Sequence, residues 1–186
     1  MALALEPAPG PLLVDGLAAL AAHPELRVPP PENLHVTLAF LGEIDGRQVE
    51  LAAHAVRTAV VGFEPWTLGW GKAGAFPSPA RPSVLWLGLA DETETRALQS
   101  RLAKELGGRG LALPERGFQP HLTLARVRRG ASIGARDALW AELARIELPP
   151  RAAVQGLVLY ESRAGHGAPE YVQLATVYLD GHNALR

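Results

Sequence analysis

The sequence contains no cysteine and no long apolar run, and these absences exclude several classes of protein. Without cysteine among its 186 residues, the chain has no disulfide, no thiolate nucleophile and no cysteine-ligated zinc. Every stretch of about eighteen residues is interrupted by charge, so we expect no membrane span. The first residues lack the positive segment of a signal peptide, and we therefore expect a cytoplasmic protein.

A strong net charge is also missing. The 18 Lys and Arg residues nearly balance the 19 Asp and Glu residues, which gives a formal net charge of -1. The chain therefore has no global positive field of the kind that drives non-specific binding along a nucleic-acid backbone, and any phosphate recognition must be local. The composition, 48% hydrophobic and 20% charged, is that of a folded chain. We expect one bilobal domain over residues 1–186, present as a monomer.

Strand-like and helix-like segments alternate along the chain. Apolar and β-branched runs bounded by glycine or proline predict strands at residues 2–5, 34–41, 66–76, 83–89, 121–127, 154–161 and 171–179. Apolar residues at helical spacing predict helices at residues 13–23, 45–60, 91–106 and 134–146. Asp45 is the expected N-cap of the second helix, whose apolar face would hold Val49, Ala53, Val56 and Val60.

One short segment occurs twice. Residues 35–40 read HVTLAF and residues 121–126 read HLTLAR, so the two agree at His, Thr, Leu and Ala. Each copy lies in the same order of strand, helix, His-containing strand, helix and strand. This order predicts a duplication with repeats at about 1–80 and 81–186. The expected fold class is α+β, with two antiparallel sheets related by a pseudo-twofold, helices outside and a groove between.

The repeated segment mounts two polar side chains on each strand. Because side chains in a strand alternate faces, His35 and Thr37 point to one face, as do His121 and Thr123 in the second copy. The residues that point to the opposite, core face are Val36, Leu38, Leu122 and Leu124. Two imidazoles across a groove can take a proton from one oxygen and give a proton to another. Each transfer is worth about 10²–10⁴-fold in rate.

A cyclic phosphodiester suits this arrangement. It needs attack by water and expulsion of an alkoxide, ring strain lowers the barrier, and the threonine hydroxyls can hold the non-bridging oxygens. The sequence has no H-E-x-x-H segment and no carboxylate two or four residues after either motif histidine. We therefore predict a site without a metal and without a cofactor.

The paired strands resemble those of a known family. LHVTLAFLG at residues 34–42 and FQPHLTLAR at 118–126 are similar to the motifs of the two-histidine (2H) phosphoesterase superfamily, and more narrowly to bacterial RNA 2′,3′-cyclic phosphodiesterases, also called 2′-5′ RNA ligases. The resemblance extends over nearly the whole chain. It implies that His35 is the general acid and His121 the general base for hydrolysis to a 2′-phosphate. Thr37 and Thr123 would bind the phosphate, and a nearly symmetric site would tolerate exchange of the acid and base roles.

Arginines cluster only around the second copy. Arg126 matches the arginine that often ends the second motif in the family, which makes it a candidate for substrate binding. Strict alternation places it on the face of Leu122, so it reaches the groove only if the strand ends or bulges there. Together with Arg116, Arg128 and Arg129 it forms a basic cluster that either contacts an RNA backbone or is a solvated face.

Three functions fit these motifs. The first is hydrolysis of RNA 2′,3′-cyclic phosphate ends, with reversible 2′-5′ ligation as an added reaction. The second keeps the fold but acts on a small cyclic nucleotide or a 2′,5′-oligonucleotide. The third is a non-catalytic module that binds a nucleotide or RNA. Binding alone does not need two opposed proton carriers, so the intact histidines favour the first two.

Overall fold

The computed structural model describes residues 1–9, 11, 13–114, 117–131, 136–147, 151–163, 169–179 and 183–185. Within these ranges the chain forms four α-helices and two antiparallel sheets, as predicted for an α+β protein. The helices are α1 (Val14–Ala21), α2 (Gly46–Val60), α3 (Thr93–Gly107) and α4 (Arg136–Leu143). The strands are β1 (Ala2–Glu6), β2 (Leu26–Arg27), β3 (Trp66–Leu68), β4 (Trp70–Ser78), β5 (Arg81–Leu89), β6 (His121–Val127), β7 (Ala152–Arg163), β8 (Glu170–Tyr178) and β9 (Asn183–Leu185).

Each sheet combines strands from early and late parts of the chain. The first sheet has the order β1-β7-β8-β9, with β3 also paired to β7, and the second has the order β2-β6-β5-β4. The predicted boundary between repeats falls in the hairpin where Ser78 of β4 pairs with Arg81 of β5. The division into repeats at about residue 80 therefore remains a prediction, as does the single bilobal domain.

The prediction of a continuous strand at residues 34–41 is wrong. Only Val36 and Thr37 form β-bridges there, Val36 with Leu122 of β6 and Thr37 with Ala2 of β1. The segment lies between the two sheets and forms a single β-bridge with each of them. A strand ladder needs several consecutive residues that each pair with a residue of the neighbouring strand. The apolar pattern of the sequence does not reveal whether a neighbouring strand supplies these partners.

Helix α2 begins where its cap predicts, but it buries a different face. The Asp45 carboxylate accepts a hydrogen bond from the Gln48 backbone N–H at 2.8 Å, and the Gln48 side-chain oxygen accepts one from the Asp45 N–H at 2.9 Å. Of the predicted face, Val56 and Val60 are buried, whereas Val49 and Ala53 are partly exposed. The other buried residues of α2 are Ala52, Ala55 and Ala59. Their small side chains allow α2 and α3 to pack closely.

Helix α3 follows the prediction more closely. Leu98, Leu102 and Leu106 are fully buried, and the helix ends at Gly107. Helix α2 also packs against β7 and β8, and Gly46, Val49 and Glu50 near its N-terminus line the groove described below. Among the described residues, no helix combines the length and apolar character needed to cross a membrane.

Candidate active site

The structure brings all five predicted site residues into one groove. The groove has a volume of about 1420 Å³ and runs between the two sheets. Its lining includes His35, Thr37, His121, Thr123 and Arg126. The four motif side chains are partly buried, whereas Arg126 is exposed. Their roles in catalysis and binding remain predictions.

The centres of the two motifs are paired directly. Val36 and Leu122, each 0% exposed, form an isolated antiparallel bridge. In this antiparallel register His35 lies beside the strand position of Thr123, and Thr37 lies beside that of His121. Each imidazole thus has the hydroxyl of the other copy as its neighbour. The bridge is the centre of a local pseudo-twofold.

Both imidazoles are held by the same kind of hydrogen bond. The Nδ1 of His35 donates to the backbone carbonyl oxygen of Asn33 at 2.8 Å, and the Nδ1 of His121 donates to that of Gln119 at 2.7 Å. A carbonyl oxygen can only accept, so the proton of each neutral ring lies on Nδ1. The Nε2 atom of each ring is left available to accept or donate a proton.

The residues that supply these carbonyl groups are fixed by their own side chains. The Asn33 amide donates to the carbonyl oxygen of Pro169 at 2.9 Å. The Gln119 amide donates to the Glu92 carboxylate at 3.1 Å, and Arg96 donates to the neighbouring Phe118 carbonyl at 2.6 Å. Such supporting bonds hold an imidazole in one orientation.

An aromatic wall flanks each histidine. The His35 ring meets the edge of Tyr171 at a centroid distance of 5.0 Å, with Tyr160 at 6.0 Å. The His121 ring meets Phe76 at 4.9 Å, with Trp86 at 6.1 Å. Rings of this kind restrict the motion of an imidazole and exclude water from one of its sides.

The electrostatics favour neutral imidazoles. Burial lowers the pKa of both His35 and His121, because the charged ring loses solvation, and the hydrogen bonds to the carbonyl oxygens oppose this shift only in part. The positive charge of Arg126 lowers both pKa values further. An anion between the two rings would oppose these effects and favour protonation of one of them.

A β-bulge explains how Arg126 reaches the groove. In the pairing of β5 with β6, Trp86 faces Thr123 and Leu85 faces Ala125, which leaves Leu124 as an extra residue. Leu124 and Ala125 are consecutive buried residues, so the alternation shifts by one and Arg126 turns toward the groove. Leu38 and Ala39 are likewise both buried in the first copy. Strict alternation therefore fails in both copies at the Leu-Ala pair, which is visible in the sequence.

The predicted basic cluster divides into separate roles. Arg128 Nε donates to the carbonyl oxygens of Pro24 and Leu26 at 3.0 and 3.1 Å, which holds β2 against β6. Arg129 does not line the groove, and Arg116 lies outside the described residues. Sequence reasoning missed Arg27, which lines the groove beside Arg126 because β2 pairs with β6.

The aromatic walls were also missed. Trp86 is paired with Thr123 across β5 and β6, so its position in a strand next to the motif was the available signal. Tyr160 and Tyr171 approach His35 only through the pairing of β7 with β8, which no local pattern reveals.

The part of the chain that the structure describes contains no group of three or more His, Asp or Glu residues arranged to hold a metal ion.

Comparison with known sequences identifies the family. The sequence profile of the 2′-5′ RNA ligase superfamily matches residues 11–166. The chain belongs to this superfamily. The resemblance predicted from the paired motifs is thereby confirmed, and both motifs lie within the matched range.

Members of the superfamily with assigned names match the chain over different lengths. An Archaeoglobus fulgidus protein named RNA 2′,3′-cyclic phosphodiesterase is 38% identical over 53% of this chain, and the match covers about half of that relative, 54%. A Thermotoga maritima protein of the same name is 32% identical over 81% of this chain, and the match covers 78% of the length of that relative. The crystal structure of E. coli LigT complexed with 3′-AMP has a TM-score of 0.71 and 26% identity, covering 94% of this chain and 93% of LigT.

Proposed function

We propose that this protein hydrolyses RNA 2′,3′-cyclic phosphate ends to 2′-phosphates without a metal ion. The observation that carries the proposal is the pair of imidazoles, each held through Nδ1 with its Nε2 available, beside one groove. The names of the Archaeoglobus and Thermotoga relatives support the same substrate class.

The reaction requires one proton to be removed and one to be supplied. His121 accepts a proton from water through Nε2 while the water oxygen attacks phosphorus. The bond between phosphorus and O3′ breaks, and protonated His35 gives its Nε2 proton to the departing O3′. The 2′-phosphate remains, and the protons exchanged with water restore both rings. In 2′-5′ ligation a 5′-hydroxyl group takes the place of water, and the reverse cleavage of the 2′-5′ linkage exchanges the two roles.

The negative charge that develops on the phosphoryl oxygens during the reaction needs hydrogen-bond donors. The Thr37 and Thr123 hydroxyls lie in the groove on either side of the motif bridge, and in this proposal they donate to the non-bridging oxygens. Arg126 adds a positive charge from one side only, since Phe40 holds the corresponding position in the first copy. The substrate is therefore expected to lie asymmetrically.

Two alternatives share this geometry. A small cyclic nucleotide or a 2′,5′-oligonucleotide could use the same imidazoles, and a non-catalytic module could bind a nucleotide in the groove. The volume of about 1420 Å³ exceeds the typical range of about 300–1,000 Å³ for small-molecule pockets, which favours an oligonucleotide. The supported Nδ1 bonds favour proton transfer over simple binding.

Turnover of a short RNA with a 2′,3′-cyclic end, measured with excess EDTA, tests the proposal. We expect wild-type turnover to be unaffected by EDTA, and we expect His35→Ala and His121→Ala each to lose about 10²–10⁴-fold in kcat. His54→Ala is the matched control, because His54 is exposed on α2 and lies outside the groove. Loss of activity with EDTA, or full activity of either motif variant, would contradict the mechanism.

The dependence of kcat/KM on pH gives a second test. The base must be neutral and the acid protonated, so activity falls when pH decreases through one pKa and when it increases through the other. Burial lowers the pKa of both histidines. We therefore expect both limbs below the ordinary histidine value of about 6.5. A bell-shaped pH profile centred well above the ordinary histidine pKa would show that groups other than these histidines control the activity.

We also propose that the protein acts as a monomer in the cytoplasm. Both motif histidines, both motif threonines and Arg126 lie in the groove of one chain, which is the arrangement that a monomeric enzyme needs. The cysteine-free composition is compatible with a reducing compartment. Size-exclusion chromatography with light scattering tests the monomer, and a dimeric mass would contradict it.

A further inference from the structure

Two arginines lie side by side in the lining of the groove. Arg27 of β2 is the direct cross-strand partner of Arg126 of β6, and both line the groove. Both side chains are exposed. The structure gives neither of them an ion pair with a carboxylate of the described residues.

This pairing is unfavourable unless an anion is present. Like charges directly opposite each other in adjacent strands destabilise a sheet. A chain with 19 acidic residues could neutralise them, yet no described carboxylate does so. An uncompensated pair of guanidinium groups in a groove is therefore best explained by a negatively charged ligand.

The strand that carries Arg27 is held in place. Strand β2 has only two residues, but the Arg128 backbone N–H donates to the Glu25 carbonyl at 2.8 Å, and the Arg128 side chain donates to two more carbonyl oxygens of this region. Arg128 thus fixes β2 against β6. The position of Arg27 beside Arg126 is determined by this local structure.

The lining of the groove carries charges of both signs. Arg126 is near enough to the histidines to lower the pKa of both. Arg27 lies about 4.8 Å from Arg126 across the sheet, along the edge of β6 that the His35 segment also occupies. Other parts of the lining carry the acidic residues Glu43, Glu50 and Glu161. A second phosphate of the substrate is therefore favoured beside the arginines rather than beside these carboxylates.

We propose that Arg27, together with Arg126, binds the phosphodiester on the 5′ side of the reacting cyclic phosphate. The subsite makes the enzyme prefer an oligonucleotide to a cyclic mononucleotide, which has no such phosphate. This inference rests on the proposed hydrolysis of cyclic phosphate ends, and it adds the part of the substrate that determines specificity.

Two substrates that differ by a single phosphodiester test the subsite. We would compare cytidine 2′,3′-cyclic phosphate with a free 5′-hydroxyl to the cytidine dinucleotide that carries the same cyclic end. For Arg27→Gln we expect kcat/KM on the dinucleotide to fall about tenfold or more, with little change on the mononucleotide. Arg145→Gln, at an exposed arginine outside the groove, should match wild type on both.

The salt dependence of kcat/KM tests the subsite in the wild-type enzyme, and two variants extend the test. Each phosphate contact on a single strand contributes about 0.7 to the slope of log affinity against log salt concentration. We expect wild-type kcat/KM for the dinucleotide to depend on salt more steeply than that for the mononucleotide, by about this amount per contact. Arg27→Gln should reduce the difference, and Arg27→Lys should retain most of it because the charge is kept.

The outcomes separate this inference from the proposed function. Failure of wild type to turn over either substrate would overturn the proposed hydrolysis. Turnover of both substrates with equal salt slopes, or an equal loss on both substrates in Arg27→Gln, would overturn the subsite and leave the hydrolysis intact. Circular dichroism melts of the variants identify any loss that comes from unfolding, and the wild-type salt slopes then decide.

Discussion

The two walls of the groove hold their histidines in the same way but surround them differently. On each wall the Nδ1 of the imidazole donates to a carbonyl group two residues earlier in the chain, and an aromatic edge lies about 5 Å from the ring centre. His121 belongs to the seven-residue strand β6, whereas His35 lies in a segment that forms one β-bridge with each sheet. The two walls are therefore alike in the hydrogen bonds that orient the two imidazoles for proton transfer.

The walls diverge a few residues beyond the motifs. The first wall presents Phe40, whose side chain is 72% exposed, where the second presents the charged Arg126. The aromatic partners are tyrosines on the first wall and Phe76 with Trp86 on the second. A symmetric centre with asymmetric ends suits a symmetric reacting group, the phosphoryl oxygens, within an asymmetric substrate, an RNA end.

Replacement of the two threonines tests the symmetry at its centre. For Thr37→Val and Thr123→Val we expect similar losses of about 10²–10³ in kcat, the effect of removing one donor to a developing negative charge. Steady-state kinetics on a cyclic-ended RNA measures both variants. Thr58→Val is the control, because Thr58 lies near the C-terminal end of α2 and outside the groove. A large loss for only one variant would show that the phosphate does not lie on the local twofold.

Removal of the one-sided charge tests the asymmetry. In Arg126→Gln we expect the pKa of His35 and of His121 to rise, because the arginine lowers both. NMR titration of the imidazole protons measures the two values separately. We also expect kcat/KM on RNA to fall about tenfold through the lost charged contact. If neither pKa moves, Arg126 does not act on the two walls together.

A glycine on the second wall allows that wall to be disturbed alone. A methyl group at Gly74 would lie 2.4 Å from the Trp86 indole, so Gly74→Ala must displace the ring that flanks His121. We expect a loss of about 1–3 kcal/mol in the free energy of unfolding and a smaller fall in kcat than in the variants above. Gly107→Ala is the control, since nothing lies within 4 Å of the added methyl group. Unchanged melting and kcat would refute a role for this packing.

Local sequence patterns predicted the parts of the site that depend on near neighbours. The bounds of β6, the Asp45 cap and the grouping of the two histidines with the two threonines follow from alternation, capping and repetition. The class of fold follows from the order of segments. These features need no knowledge of which distant strands pair.

The remaining features depend on pairing between distant segments. Arg27 enters the groove because β2 pairs with β6, and the tyrosines reach His35 through β7 and β8. The segment at residues 34–41 has the apolar pattern of a strand, but it forms only one β-bridge with each sheet. The turn of Arg126 into the groove came from a bulge at Leu124, and here the two consecutive apolar residues were a signal that strict alternation overlooked.

The pairing of the first wall also has a consequence for how the protein folds. Val36 accepts a hydrogen bond from the Leu3 N–H, and Leu3 in β1 pairs with Leu157 in β7. The His35 segment is thus anchored by a strand whose own partner is synthesised more than a hundred residues later. Contacts between residues so far apart in the chain form slowly. We expect the His35 wall to form late in folding, so that activity and the completed fold appear together.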